Sequence, residues 1–239
     1  MTNIQPHILV TGSSRGIGAA IVSALSARGA RVIGHGRKAA PGQVGADLGE
    51  AGAARQIWDQ ALDLAEGRID VVINNAGIFL ENPIGASDFA WLDGWEETLR
   101  VNLTATAELS RLAVCSWQDR GASGRLVHIA SRAAHRGDSA DHWHYAAAKG
   151  GMIALHKTIA RAYAGQGILS YAISPGFVET AMARPALTGA DVTRIMGEIP
   201  LGRVAGVDEI AAIAAFCALD APASMTGAVI DANGASYVR

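Results

Sequence analysis

Tyr145 and Lys149 stand four residues apart in the segment HYAAAKGG. On a helix, positions i and i+4 share a face, so the phenol and the ammonium would lie one above the other. Such a pair can move a proton. A free phenol titrates near pH ~10, and a neighbouring positive charge favours the phenolate and brings the value down. A phenol tuned in this way is a general acid–base group. The spacing alone arises often by chance, and an amphipathic surface pair is the other reading. A cofactor site and a second hydrogen-bond donor elsewhere in the chain would decide between them.

The elements that must position the pair follow from the apolar pattern. Strand-like runs fall at 7–10, 31–34, 69–73, 126–130, 168–173 and 228–231. Helical patterns fall between them at 16–28, 51–66, 95–120, 145–164 and 208–219, with Asp208 as a cap for the last. Strand then helix, repeated, predicts a mostly parallel sheet covered on both faces. At 239 residues, half of them hydrophobic, the chain is expected to form one α/β domain over 1–239. The irregular segment at about 176–200, with Pro185 and Pro200, is the expected substrate lid.

Composition narrows the function. With 20 basic and 22 acidic side chains the net charge is −2, which gives no footing for nucleic acid or a membrane surface. No apolar run reaches the ~18 residues of a bilayer span, and the N-terminus lacks the pattern of a signal peptide. Cys115 and Cys217 lie in apolar helical stretches and are expected as buried free thiols, which suits a reducing cytoplasm.

The first strand runs into Thr11-Gly12-Ser13-Ser14-Arg15-Gly16-Ile17-Gly18. Glycines at a strand-to-helix turn let the main chain approach a pyrophosphate, which then meets the positive end of the helix. The second strand ends near Gly36, where an acidic residue would bind the ribose hydroxyls and repel a 2′-phosphate. Arg37 and Lys38 follow instead, and Arg15 lies in the turn. Guanidinium groups bind phosphate through charge-assisted bonds, so the expected cofactor is NADP(H) rather than NAD(H).

These motifs together resemble the short-chain dehydrogenase/reductase family, nearly end to end. The glycine turn at 11–18 matches T-G-x-x-x-G-I-G. Asn74-Asn75-Ala76-Gly77 matches N-N-A-G, and Asn102 stands in VNLTA. Ser131 follows a strand, and Tyr145 and Lys149 form Y-x-x-x-K. Pro175-Gly176-Phe177-Val178-Glu179-Thr180 matches P-G-x-[IV]-x-T. The resemblance implies a Rossmann-type, doubly wound sheet of seven strands. It implies Asn102, Ser131, Tyr145 and Lys149 as the catalytic set. Gly12, Ser14, Arg15, Gly16, Ile17, Gly18, Arg37, Asp47, Leu48, Asn75, Ala76, Gly77, Pro175, Gly176, Val178 and Thr180 would hold the cofactor, with Tyr145 and Lys149. The short span between Arg37 and Asp47 implies that a helix there is reduced to a turn.

By the same resemblance, Tyr145 protonates the oxygen of a carbonyl that receives hydride, Lys149 lowers the Tyr145 pKa and bonds the nicotinamide ribose, and Ser131 donates to the carbonyl oxygen. Asn102 would hold a relay water; a polar residue inside a helix, bonded to a nearby carbonyl, is the other reading. Ala133, His135, Phe177 and Met182 are candidates for the substrate wall. His135, His142, Trp143 and His144 cluster before Tyr145 without a convincing metal-ligand pattern. His142 and His144 are expected as loop and helix-start residues at a subunit surface. The chain most resembles the 3-oxoacyl-carrier-protein reductase-like branch. Gln166 gives no charge where that branch tends to place a basic residue, and Arg120 and Arg125 are the alternatives. An intact catalytic set argues against a non-catalytic NADP(H) sensor. The family implies a homotetramer or a homodimer.

Overall fold

The computed structural model describes residues 5–183 and 192–239 of the chain. Seven strands form one sheet: β1 (His7–Val10), β2 (Arg31–Gly36), β3 (Gln43–Gly45), β4 (Val71–Asn74), β5 (Gly124–Ile129), β6 (Ile168–Pro175) and β7 (Val229–Ala232). The order is β3-β2-β1-β4-β5-β6-β7, and every pair is parallel. The order reverses between β1 and β4, and a crevice at that reversal is where open α/β sheets bind ligands.

The strands are short apolar runs because both faces are covered. Leu9, Ile33, Val72 and Leu126 face a layer made by α2 (Ala53–Leu64), α4 (Ala105–Asp119) and α6 (Trp143–Tyr163). Ile8, Val10, Ile73, Val127 and Ile173 face α1 (Gly16–Ala27) and α8 (Val207–Leu219). The alternation of Ile8, Leu9 and Val10 between the two layers is the pleat itself. Ile21 and Leu25 of α1 are fully buried, and each contributes about 1.5–3 kcal/mol of burial. Three further α-helices lie among the described residues: α3 (Asp88–Leu99), α5 (Ala133–Arg136) and α7 (Val192–Gly197). No described helix is long and apolar enough to cross a membrane.

Several sequence expectations change. The span between Arg37 and Asp47 holds a turn, with Gln43 N–H donating to Ala40 O at 2.8 Å, and also a seventh strand, β3, of three residues. The helical run expected over 95–120 begins earlier, at Asp88, where Ser87 Oγ accepts from Ala90 N–H at 3.3 Å. It is then broken by a π-helical turn at Arg100–Thr104 before α4. Asp208 does not cap α8: the cap is Gly206, whose N–H donates to Glu209 Oε2 at 2.8 Å. Cys217 is buried, but Cys115 is exposed on α4, so only one of the two thiols fits the expectation. Part of the expected lid, residues 184–191, lies outside the described residues.

Candidate active site

The C-terminal ends of β1 and β4 meet over the glycine turn. Gly12 and Gly16 have φ of +64° and +56°, a region that side chains with a Cβ rarely adopt. Space is equally decisive. A Cβ on Gly12 would come within 2.8 Å of Ala76 Cα, and one on Gly18 within 2.2 Å of Gly12 O. The first glycine lets the turn touch the Asn75–Gly77 segment, and the third lets α1 pack onto the turn. A Cβ on Gly16 would lie 3.5 Å from Thr180 Cγ2, so Thr180 reaches the mouth of the turn from the far side of the sheet.

Asn75 ties the two strand ends together. Its Nδ2 donates to Thr11 O at 2.8 Å and to Gly12 O at 3.0 Å, while Thr11 Oγ1 accepts from the N–H of Asn75 and of Ala76, both at 3.0 Å. The main chain therefore forms a cradle that side chains would fill, and it fits a pyrophosphate at the start of α1. Ser14 and Arg15 are exposed on its rim, and Ile17 is part-buried. Arg37 and Lys38 are exposed just past the end of β2. Asp47 is exposed, with Oδ1 accepting from Gly49 N–H at 2.9 Å, and Leu48 is buried beside it.

The predicted catalytic residues converge beyond β4. Lys149 is 4% exposed, and its Nζ donates to Ile129 O at the end of β5 at 2.8 Å. The same Nζ lies 5.9 Å from the centre of the Tyr145 ring. Burial pulls the Lys149 ammonium down to about 8. Burial also pushes the Tyr145 phenol up to about 12, while a hydrogen bond from Ser131 pulls it the other way. The depression expected from Lys149 is not found: desolvation of the phenol dominates, and the opposing pull comes from Ser131. Ser131 Oγ also accepts from Ala133 N–H at 3.1 Å, which fixes the hydroxyl at the start of α5.

Asn102 sits in the π-helical turn, fully buried. Its Oδ1 accepts from Ile78 N–H at 2.8 Å and its Nδ2 donates to Ile78 O at 2.9 Å. Both ends of the amide are used to clamp the chain after Gly77, so the reading of Asn102 as a helix-interior residue bonded to a nearby carbonyl describes its side chain. A Cβ on Gly77 would stand 3.3 Å from Asn102 Oδ1 and 3.7 Å from Lys149 Nζ, which places the three side by side.

The substrate-wall candidates separate. Phe177 lies under the Arg132 guanidinium at 4.9 Å, and Met182 is exposed. Ala133 is buried in the first turn of α5. His135 bonds Ser174 Oγ at 3.2 Å and stacks on Tyr237. Pro175 ends β6, Gly176 N–H donates to Ala232 O at 3.1 Å, and Val178 is buried where it bridges to Ala205. His142 and His144 are not surface residues of this chain: both are buried, and His142 stacks on Phe79 at 3.9 Å. Phe79 in turn meets the Tyr145 ring edge-on at 4.8 Å.

Sequence reasoning missed Phe79 and Arg132. Phe79 follows the Asn74–Gly77 motif closely enough to have been noticed, but its partners are distant in sequence. Arg132 is 6% exposed and lies 3.9 Å from Glu198, with Nη1 buried and unbonded among the described residues. Arg125, a candidate for a basic docking residue, is spent on the carbonyls of Cys217 and Ala221 at 3.1 and 3.0 Å.

Residues 6–190 match the family described as short chain dehydrogenase. The chain is 36% identical over 243 residues to 3-oxoacyl-[acyl-carrier-protein] reductase FabG of Salmonella typhimurium, covering 96% of each chain. It is 34% identical over 244 residues to the acetoacetyl-CoA reductase of Shinella zoogloeoides, covering 96% of this chain and 97% of that one. A solved structure from Agrobacterium tumefaciens, a candidate 2-deoxy-d-gluconate 3-dehydrogenase with bound NADP, superposes with a TM-score of 0.85 at 28% identity, covering 97% and 96% of the two chains.

Proposed function

This chain belongs to the short-chain dehydrogenase family, and from that premise we propose that it transfers hydride between NADP(H) and a carbonyl or secondary alcohol, with Tyr145 as the general acid–base. The observation that carries the reading is the continuity of the site: the glycine cradle, the Asn75 clasp, Lys149, Tyr145 and Ser131 lie along one edge of the sheet, at the reversal of strand order. When bound, the nicotinamide supplies or accepts the hydride. The cofactor residues are those of the turn and strand ends, Gly12 to Gly18, Asn75 to Gly77 and Pro175 to Thr180. Arg15 and Arg37 would hold the 2′-phosphate, and Asp47 and Leu48 would hold the adenine.

In reduction, Tyr145 Oη gives its proton to the oxygen of the carbonyl. A phenol held at about 12 is fully protonated at neutral pH and is loaded for that step. Ser131 donates to the same oxygen and offsets the charge that develops there. Lys149, anchored by Ile129 O, keeps a positive charge near the phenolate that remains. Asn102 fixes the Ile78 main chain and, through it, the floor of the site; its place in the relay is through the main chain of the π-helical turn.

The substrate class has one favoured refinement. Two relatives are named for 3-oxoacyl thioesters, one carried on a protein and one on coenzyme A. Reduction of a 3-oxoacyl thioester is therefore the second reading. A carrier protein finds less support, since Gln166 is uncharged and bonded to Gln118, and Arg125 is occupied. The chain acts as one domain, with the described residues 176–183 and 192–200 beside the substrate, and as a cytoplasmic homotetramer or homodimer. A screen of ketones, 3-oxoacyl thioesters including acetoacetyl-CoA, and secondary alcohols, followed by NADPH absorbance, tests the activity. Tight NADPH binding with no turnover on any of them would favour a sensor instead, and a clear preference for NADH would overturn the cofactor assignment.

A further inference from the structure

We propose that His35 is a positioning residue that locks the glycine turn to the adenosine-side loop and thereby sets dinucleotide affinity. The proposal rests on the dinucleotide reading above and names a residue that sequence patterns pass over. His35 is the penultimate residue of β2 and is 3% exposed. Both of its ring nitrogens are used by main chain from different segments. Nδ1 accepts from Gly12 N–H at 3.2 Å, and Nε2 donates to Ala46 O at 3.0 Å. An N–H can only donate and a carbonyl can only accept, so the two partners fix the ring as neutral with its hydrogen on Nε2. Burial disfavours the charged ring, while Asp47 favours it.

The main chain of His35 adds a second hold. Its carbonyl accepts from Ser13 N–H at 2.8 Å and from Ser13 Oγ at 3.2 Å. One residue thus fixes the turn at Gly12 and at Ser13, and fixes Ala46 immediately before Asp47 and Leu48. The preceding glycine makes the approach possible: a Cβ on Gly34 would come within 2.5 Å of Ser13 Oγ. An apolar side chain of similar volume would fill the space but leave the buried Ala46 carbonyl and the Gly12 N–H without partners. The two segments that His35 joins bracket the adenosine half of the site, and no part of the ring reaches Tyr145 or Ser131 through any bond described.

The test compares wild-type protein with His35→Ala, His35→Asn and His35→Gln in NADPH titrations followed by fluorescence, alongside thermal unfolding. Asparagine places Oδ1 near the position of Nδ1 and can still accept from Gly12, whereas glutamine reaches toward Ala46 and abandons Gly12. His35→Ala should raise the NADPH Kd about tenfold, with Asn recovering most of that loss and Gln little. Unchanged affinity in His35→Ala overturns the proposal, as does equal loss in all three variants. Should His35→Ala fail to fold, the Asn–Gln difference remains. In addition, ¹⁵N NMR of the wild-type imidazoles should show His35 neutral and protonated at Nε2, and an Nδ1-protonated ring overturns the clasp. The NMR signature needs no ligand, so it stands apart from the cofactor reading. If the wild type binds NADH and not NADPH, the cofactor assignment fails and the same variants are compared with NADH. If it binds neither, the dinucleotide reading fails and the tautomer alone judges the clasp.

Discussion

Around Gly12 and Gly18 the chain is packed so closely that a single added Cβ would be excluded, and the Asn75, Thr11 and His35 side chains are bonded to main chain there. Around Ser131 and Phe177 it is held by side chains: Arg132 over Phe177, His135 on Ser174, His142 on Phe79. The first region has almost no freedom to vary, as the proposed site for a ligand of fixed shape would require. The second can change one contact at a time, which is what a fold needs if one cofactor is to serve many carbonyl substrates. The proposed catalytic pair sits on the border, with Lys149 anchored to the main chain of β5 and Tyr145 contacting the aromatic ring of Phe79.

The largest effect should come at that border. Tyr145→Phe removes the proposed proton donor but keeps the ring against Phe79, so turnover should fall about a thousandfold while NADPH affinity stays near the wild-type value. Stopped-flow single turnover and fluorescence titration measure the two separately. Normal turnover would remove Tyr145 from its assigned role and erase the distinction between the border and the substrate wall.

Gly18→Ala probes the cofactor side. Its Cβ would meet Gly12 O at 2.2 Å and Asn75 Nδ2 at 2.6 Å, and neither atom can move without opening the clasp. A loss of about 3 kcal/mol in denaturant unfolding is expected, together with weakened dinucleotide binding. An alanine tolerated without cost would mean that the main-chain cradle is far softer than its spacing implies. Arg37→Ala is milder. It leaves the cradle intact and removes one exposed guanidinium, so it should cut NADPH affinity about tenfold and leave NADH affinity unchanged. Equal loss for both dinucleotides would show that Arg37 acts on the cradle and not on the 2′-phosphate.

The same contrast explains what could be read before the structure was in hand. Gly12, Gly16 and Gly18 were legible because left-handed φ or steric exclusion leaves no alternative residue, and buried parallel strands announce themselves as unbroken apolar runs. β3 was not, because three residues with one buried side chain, Val44, carry no period. The start of α3 was hidden by Phe89 and Leu92, which are apolar and yet exposed, so no single face emerged. The π-helical turn holds Asn102, whose bonds to Ile78 reach 24 residues away in sequence and leave no local pattern. His35 and Arg132 are single polar residues in apolar segments, and their partners come from elsewhere in the chain.

Beneath the border runs a polar chain that gives the smallest and most selective signal. Asn74 Nδ2, at the end of β4, donates to His128 Nδ1 at 3.3 Å and to Ser110 Oγ at 3.2 Å, and Ser110 donates to Thr106 O at 2.7 Å. His128 is fully buried on β5. Desolvation first, then the charges of His156 and Lys149, pull it down from its ordinary 6.5 to about 3. Its folded-state value lies below the unfolded one, so the unfolded chain binds the extra proton between those limits. The stabilising contribution is therefore complete above about pH 6.5 and is lost as pH falls toward 3. His128→Gln removes that proton, so the slope of unfolding free energy against pH in this window should flatten by about 1 kcal/mol per pH unit. The slope separates titration from packing, since a cavity lowers stability by the same amount at every pH. An unchanged slope would mean that His128 takes up its proton equally in the folded and unfolded chain, and so is protonated in the folded protein within this window. Its Nδ1 could not accept from Asn74 there, and the β4 and β5 ends, which hold the Asn75 clasp and anchor the proposed catalytic lysine, would lose the buried link between them.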